Sequence, residues 1–456
     1  MDQMLQTLAD FALSMKYEDL REETKYQAKR RIVDTFGCSM GAYHMEPPRI
    51  ARQYAMRVTA NPGATVLGTR HRTSPEMAAL ANGVMARYLD FNDTSNTRDA
   101  GHPSDMIPAI LAVAESIGAD GKKAITGIVV AYEVMDRMGQ VLGLTQIGFD
   151  YTTYVAIGSA AGAANILGLS REQTLNAIAL AASSYIGLLQ IRMGDLSMWK
   201  GSSPGNASRN GVFCALIAQM GMTGPVEAFH GRYGFFKMVT QDHGVMKMQP
   251  FGGKDNPFMV EVSKLKYYPT DYECQTAANP AVELHQLLKD RIQEIEKVVI
   301  FGYKFGINVA TDSKDKWDPK TRETADHSLP YVVATALIRG NVFLDDFEEK
   351  NFRDPERLAL MKKIEAYEDQ EYTKDYPESY RFRIEATLKS GEKLVRDIRY
   401  GKGHPKNPLS DQEIENKFRK LCKNILIPRQ IDQALETLWH FESVNHISEI
   451  YSLFEL

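Results

Sequence analysis

The stretch YLDFNDTSNTRDAGHPSD, residues 88–105, concentrates ionisable side chains between two segments whose apolar residues have helical spacing. Asp90, Thr94 and His102 could do chemistry there. A carboxylate, a hydroxyl and an imidazole near a helix N-terminus suit proton transfer and the binding of a substrate carboxylate. A solvated loop in which Asp93 or Thr94 caps locally accounts for the same residue types equally well. Residue types alone leave both interpretations open.

Two lysines in other stretches could bind an anion. Lys200 follows Trp199 in DLSMWKGSSPGNASRNGV and could be partly buried, although the ammonium of such a lysine more often reaches solvent. Lys266 lies in KLKYYPTDYECQ, residues 264–275, together with Asp271. The pattern of apolar residues changes near this stretch from one that is helical throughout to one that includes strands. The stretch therefore fits either a cleft between domains or a hinge with solvated charges.

A fourth stretch, TRETADHSLPY, places His327 and Tyr331 at the start of a predicted helix. The tyrosine could donate a hydrogen bond to a substrate, although amphipathic packing is its commoner role. For His327, helix capping or hydrogen bonding in the core is favoured over catalysis. The stretch is therefore a weaker candidate than the loop at residues 88–105.

Several common mechanisms lack their sequence motifs. No GxGxxG follows a strand, and no Walker A run or HExxH motif is present. The four cysteines lie far apart and match no paired metal-ligand spacing. Acid/base chemistry on an anionic substrate, without a metal, is the class that remains.

The composition bounds the partners and the compartment. The chain of 456 residues has 54 basic and 58 acidic side chains and a net charge of −4, which argues against nucleic acid as a partner. The N-terminal residues lack a signal-peptide pattern, and the most apolar run, residues 124–135, is short for a membrane span and contains Glu133. We therefore expect a cytoplasmic protein with no membrane partner.

The elements that must position these residues are mainly helical, so the predicted fold class is mainly α. We expect a large all-helical domain at residues 1–265, interrupted by a smaller α+β domain at 266–402, with residues 403–456 returning to the helical domain. A strand is predicted at 295–303 and a hairpin at 380–400 with its turn at Ser390–Gly391.

Local capping signals refine the predicted helices. Ser170 with Gln173 and Ser410 with Glu413 have the spacing of capping boxes. Ser104 is the predicted N-cap of the helix that follows the opening loop. Small residues in TYVAIGSAAGAANILGL, residues 153–169, predict a buried helix that its neighbours approach closely.

Six ordered blocks that run nearly the whole chain resemble the MmgE/PrpD family, which includes 2-methylcitrate dehydratases and cis-aconitate decarboxylases. The blocks are RYLDFNDT…GHPSDMIPAILAVAE, GFDYTTYVAIGSAAGAANILGLS, SMWKGSSPGNASRNGVFCALIAQMGMTGP, LKYYPTDYECQTAANPAVEL, TRETADHSLPYVVATALIRG and GKGHPKNPLSDQEIENKF. The resemblance implies a helical domain with an α+β lid, a site in the cleft between them, a homodimer, and no metal or organic cofactor.

The resemblance also assigns residues to the site. The implied catalytic residues are Asp90, His102 and Lys200, and the implied substrate-binding residues are Thr94, Lys266, Tyr331, Asp150 and Asp271. His102 and Asp90 are expected to divide the acid/base work, in an order that stays open. The two lysines are expected to hold substrate carboxylates.

Two departures separate this chain from the decarboxylase-type members. Asp150 in GFDYTT and Asp271 in YYPTDY stand where those members carry histidine, and both resemble the dehydratase-like branch. The expected activity is therefore that of a hydro-lyase acting on a small tricarboxylate such as 2-methylcitrate. A cis-aconitate-type decarboxylase, an epimerase of a small dicarboxylate and a non-catalytic binding protein are the alternatives.

Overall fold

The computed structural model describes residues 2–95, 97–99, 101–194, 196–240 and 248–456. Helix accounts for 60% of the described structure and strand for only 8%, which confirms the predicted mainly-α class. The α-helices of these residues are α1 Gln3–Ser14, α2 Glu22–Gly41, α3 Glu46–Ala55, α4 Pro75–Tyr88, α5 Ile107–Ser116, α6 Gly121–Val141, α7 Thr152–Leu167, α8 Arg171–Ser184, α9 Trp199–Gln219, α10 Met259–Val262, α11 Tyr272–Leu288, α12 Lys304–Thr311, α13 Lys314–Trp317, α14 Arg322–Ala325, α15 Leu329–Arg339, α16 Glu349–Phe352, α17 Pro355–Met361, α18 Gln370–Asp375, α19 Asp411–Cys422, α20 Pro428–Trp439 and α21 Ser448–Ser452.

The strands form two sheets of very different size. The strands are β1 Ala64–Thr65, β2 Arg72–Thr73, β3 Ile295–Gly302, β4 Ile364–Glu368, β5 Phe382–Leu388 and β6 Lys393–Ile398. The larger sheet has the order β4-β3-β5-β6, in which β4 is parallel to β3 while β5 is antiparallel to both β3 and β6. The predicted strand at 295–303 and the predicted hairpin are thereby confirmed. Its turn contains Gly391 at φ 86°, a value that favours glycine.

The central helices pack closely because small residues line their contacts. A Cβ atom added to Gly158 of α7 would lie 2.8 Å from the backbone oxygen of Ala131 in α6, and one added to Gly162 would lie 2.7 Å from that of Gly127. The close approach predicted for residues 153–169 is therefore confirmed. The opposite side of α7 contacts α9, which also packs against α4 and α8.

The buried apolar side chains fall into two main clusters. The larger cluster takes its members from Met4–Leu265 and Leu409–Phe454, and the smaller takes its members from Tyr268–Leu388. In the smaller cluster α11 packs on β5, β6 and α15. The chain passes from the larger cluster to the smaller one, and back again, close to the expected boundaries at 265/266 and 402/403. The division into domains at those residues stays a prediction.

The local capping signals give a mixed result. The capping boxes of Ser170 with Gln173 and of Ser410 with Glu413 are confirmed at the starts of α8 and α19. The N-cap prediction for Ser104 is wrong, because a 3₁₀ turn at Pro103–Met106 precedes α5 and places Ser104 inside a helical turn. None of the described helices is long and apolar enough to cross a membrane.

Candidate active site

Asp90 lies at the centre of a buried group of cations. Its side chain is 1% exposed, and its backbone follows α4 with φ 52°, a left-handed conformation that aspartate tolerates better than most residues. Carboxylate oxygen Oδ1 accepts a hydrogen bond from Lys266 and lies 2.9 Å from Nη1 of Arg87. The other oxygen, Oδ2, is 2.8 Å from Nζ of Lys200 and 3.6 Å from Nε2 of His327.

These side chains come from four separate parts of the chain. Arg87 belongs to the last turn of α4, and Lys200 is the second residue of α9. Lys266 precedes α11, and His327 connects α14 to α15. With Asp90 and Asp326 they form what we call the Asp90 cluster.

The surrounding cations keep Asp90 ionised. Burial alone would raise the pKa of Asp90, but the charges of Arg87, Lys200 and Lys266 outweigh burial and hold this pKa well below its ordinary value. The carboxylate is therefore a permanent anion at neutral pH. It holds the cations that surround it in one place.

His102 is close to the cluster, but both of its ring nitrogens are engaged. Nδ1 lies 2.6 Å from the backbone oxygen of Asp93, so this nitrogen carries the proton and donates it. Nε2 accepts a hydrogen bond from Arg87 at 2.9 Å. Burial, followed by the charges of Arg87 and Lys266, lowers the pKa of His102 well below its ordinary value. The imidazole is therefore neutral and fixed in one tautomer.

Arg87 links the predicted acid/base residues, and the sequence analysis did not single it out. Its guanidinium contacts Asp90, His102 and, at 3.3 Å, the hydroxyl of Tyr151. That hydroxyl donates to Asp105, whose pKa is raised to about 7 by burial. The available signal was the spacing of three residues between Arg87 and Asp90, which on a helix brings two side chains together.

Thr94 closes the loop at residues 88–105 and does not contact the cluster. Its hydroxyl donates to the backbone oxygen of Gly101 at 2.9 Å. Its backbone exchanges two hydrogen bonds of 2.8 Å with Lys264. Thr94 thereby fixes the position of the chain segment that carries Lys266.

Asp150 is fully buried and is connected to the cluster only through other residues. Its carboxylate accepts a hydrogen bond of 2.5 Å from Arg192 and one of 3.0 Å from the backbone of Thr152. The guanidinium of Arg192 lies over the ring of Tyr151, 4.7 Å from its centroid. Tyr151 in turn meets Arg87.

Asp271 lies at the exposed edge of the cluster. Oδ1 of Asp271 is 3.7 Å from Nε2 of His327, and the two side chains are 20% and 12% exposed. The cluster therefore reaches solvent beside these two residues.

The hydroxyl of Tyr331 lies outside the cluster. It donates to the backbone oxygen of Asp346 and accepts a hydrogen bond from Arg357. The structure thus brings Asp90, Lys200, Lys266 and Asp271 together, with His102 beside them. The roles that the sequence analysis gives to all these residues stay predictions.

Asp326 and His327 surround the ammonium of Lys200 together with Asp90. Nζ of Lys200 lies 3.2 Å from Oδ1 of Asp326 and 3.2 Å from Nδ1 of His327. Among the described residues, Asp90, Asp326 and His327 are the ones whose ligand atoms, within 4.8 Å of one another, have the spacing of a metal site. The ammonium ion occupies the space between these atoms, so Lys200 supplies the positive charge there.

The chain matches known sequences along most of its length. Residues 6–247 match the MmgE/PrpD N-terminal domain, and residues 268–440 match the MmgE/PrpD C-terminal domain. The 2-methylcitrate dehydratase of Cupriavidus necator is 28% identical over 99% of this chain and 97% of that protein. The 2-methylcitrate dehydratase of Salmonella typhimurium is 29% identical over 79% of this chain and 77% of that protein. The mitochondrial 2-methylcitrate dehydratase of Yarrowia lipolytica is 28% identical over 88% of this chain and 80% of that protein. The chain belongs to the MmgE/PrpD family.

Proposed function

We propose that this chain is a hydro-lyase that removes water from a small β-hydroxy tricarboxylate, with 2-methylcitrate as the first substrate to test. Its similarity to enzymes named 2-methylcitrate dehydratase supports the reaction class. The observation that carries the proposal is the convergence of Arg87, Lys200 and Lys266 on Asp90, beside the two imidazoles of His102 and His327.

The proposed reaction needs three kinds of groups. A base must take the proton from the carbon next to a carboxylate, an acid must protonate the leaving hydroxide, and cations must stabilise the enolate-like charge that develops. We assign the last task to Lys200 and Lys266, whose ammonium groups would also bind substrate carboxylates. No step requires a metal or an organic cofactor.

Asp90 and His102 remain the proposed acid/base candidates from the sequence, and their surroundings constrain each role. The low pKa of Asp90 favours a carboxylate that stays ionised and positions the lysines. His102 could exchange a proton through Nε2 only after Arg87 moves away from that nitrogen. A proton-transfer group with a freely accessible nitrogen would complete the site.

We also propose that the chain acts as a cytoplasmic homodimer. Four large apolar side chains that line one surface groove are exposed, Ile50 and Tyr54 of α3 and Met198 and Trp199 at the start of α9, at 47%, 54%, 44% and 48%. Contiguous apolar residues on a surface favour a protein interface. Sedimentation of the purified chain tests this proposal, and a monomer at micromolar concentration contradicts it.

The activity is tested by an NMR time course with 2-methylcitrate, citrate and cis-aconitate. We expect 2-methylcitrate to lose water and give an alkene product. Lys200→Met should reduce turnover by about 10²–10³-fold, the usual effect of removing one group that stabilises a developing anion. The matched control is Lys297→Met on β3, where the lysine is half exposed and pairs only with Glu365. We expect this control to turn over substrate at the wild-type rate.

Other outcomes of the same experiment would replace the proposal. Release of CO₂ from cis-aconitate would identify a decarboxylase. Exchange of an α-proton in D₂O without water loss would favour an epimerase. Thermal stabilisation by these ligands without any reaction would favour a binding protein.

A further inference from the structure

Asp326 and His327 have a fixed backbone between two helices. The backbone nitrogen of Asp326 donates to the oxygen of Arg322 at 3.0 Å, and that of His327 donates to Thr324 at 3.2 Å. Both side chains are therefore held at the end of α14, where they face the start of α9. The geometry of this pair is set before any ligand binds.

Asp326 orients the imidazole of its neighbour. Oδ1 of Asp326 lies 2.6 Å from Nδ1 of His327, a distance at which the ring N–H donates to the carboxylate. A neutral histidine with its proton on Nδ1 has a lone pair on Nε2. This lone pair is the feature that a general base requires.

Nε2 of His327 has no hydrogen-bond partner among the described residues, whereas both nitrogens of His102 are engaged. Its nearest charged neighbours are Oδ2 of Asp90 at 3.6 Å and Oδ1 of Asp271 at 3.7 Å, both beyond hydrogen-bond distance. The His327 side chain is 12% exposed, compared with 3% for Lys200 and 0% for Lys266. A substrate that enters beside Asp271 therefore meets Nε2 before it meets the lysines.

We propose that His327, oriented by Asp326, is the base that takes the proton from the substrate carbon next to a carboxylate. This inference rests on the proposed function. The C–H bond breaks as its proton moves to Nε2, and the electron pair passes into the neighbouring carboxylate as an enolate-like charge. This pair then forms the C=C bond as the C–O bond breaks, and the C–O electron pair leaves with hydroxide, which accepts a proton from the protein and departs as water. One proton is gained and one is given, so the protein ends with its starting charge.

The first test compares His327→Gln with the wild type on 2-methylcitrate. Glutamine can form hydrogen bonds but cannot take up the proton, so turnover should fall by about 10²–10⁴-fold. The matched control is His285→Gln on α11, where a half-buried imidazole bonds only the backbone oxygen of Leu337. This control should keep the wild-type turnover.

The second test uses variants that separate chemistry from folding. His327→Ala leaves a space beside Asp271, and added imidazole should restore part of its turnover. Asp326→Asn should lower kcat without a matching rise in KM, because it releases the correct ring orientation rather than a substrate contact. If Asp326→Asn has the same kcat and KM as the His285→Gln control, Asp326 does not position His327. The proposed pairing of the two residues is then wrong.

The outcomes distinguish this inference from the proposed function. If the wild type turns over 2-methylcitrate and His327→Gln does so at the same rate, only the role of His327 is overturned. A wild-type chain that dehydrates neither 2-methylcitrate nor citrate overturns both the function and this role. Loss of turnover in His327→Gln, with melting unchanged and imidazole rescue in His327→Ala, supports the role.

Discussion

Replacing Asp90 by asparagine removes one negative charge and little else. Asparagine has the same shape and also tolerates the left-handed backbone conformation at this position, where φ is 52°. The change leaves Arg87, Lys200 and Lys266 buried around a neutral amide. Lys200 retains a carboxylate partner in Asp326, 3.2 Å away.

The expected loss of stability follows from these contacts. Removing one partner of a buried ion pair costs about 3–5 kcal/mol, because the other charge is left uncompensated. Three cations lose the same anion, but the amide oxygen still accepts a hydrogen bond and the losses share one site, so they are not additive. We therefore expect Asp90→Asn to lower the free energy of unfolding by about 3–5 kcal/mol.

The same contacts fix the pH range of this effect. The folded pKa of Asp90 is lowered, so its stabilisation is complete above the ordinary pKa of about 3.9 and is lost as the pH falls through the lower folded value. The difference between the wild type and Asp90→Asn should stay constant from pH 8 to about pH 5. It should shrink only in stronger acid.

Urea denaturation followed by circular dichroism measures this difference. The matched control is Asp10→Asn, which removes a carboxylate from an exposed pair with Arg171 and should change stability very little. A loss for Asp90→Asn below about 1 kcal/mol, the range of exposed ion pairs, would refute the idea that this carboxylate balances the buried cations.

Three further predictions follow from buried groups. Burial lowers the pKa of Lys264 to about 7, so the folded state releases this proton before the unfolded state does. Wild-type stability should thus rise between about pH 7 and 10 while Lys264→Met shows a flatter profile, and parallel profiles would contradict this. Tyr331→Phe should lower the free energy of unfolding by about 1–3 kcal/mol, since its hydroxyl bonds buried partners, and unchanged urea denaturation would count against that contact. Lys200→Ala should bind Zn²⁺ between the three ligand atoms that now surround the ammonium, and a competition titration in which variant and wild type bind zinc equally would disprove this.

Local rules allowed much of the fold to be predicted from the sequence. The hairpin turn at Ser390–Gly391 and the capping boxes depend on residues within a few positions of one another, so their spacing is visible in the chain. Ser104 was misassigned because Pro103 begins a tight 3₁₀ turn, and a serine in that turn looks like a cap. The 3₁₀ turn therefore formed where the sequence predicted the N-cap of α5.

The site was less predictable because its geometry depends on distant contacts. Asp90, Lys200 and Lys266 could be singled out by type and by family resemblance, although 176 positions separate Lys266 from Asp90. His327 resembled a helix cap in the sequence, and only the fold places its Nε2 beside two carboxylates. The direction of the Tyr331 hydroxyl is set by Arg357, which is 26 positions away.

The most direct test of the central claim is a crystal structure with tricarballylate, a tricarboxylate that lacks the hydroxyl group and cannot be dehydrated. We predict that one carboxylate lies within hydrogen-bond distance of Nζ of Lys200 or Lys266, and that a CH₂ carbon next to a carboxylate lies beside Nε2 of His327. Tricarballylate bound away from these three side chains would contradict the assignment of the Asp90 cluster as the active site.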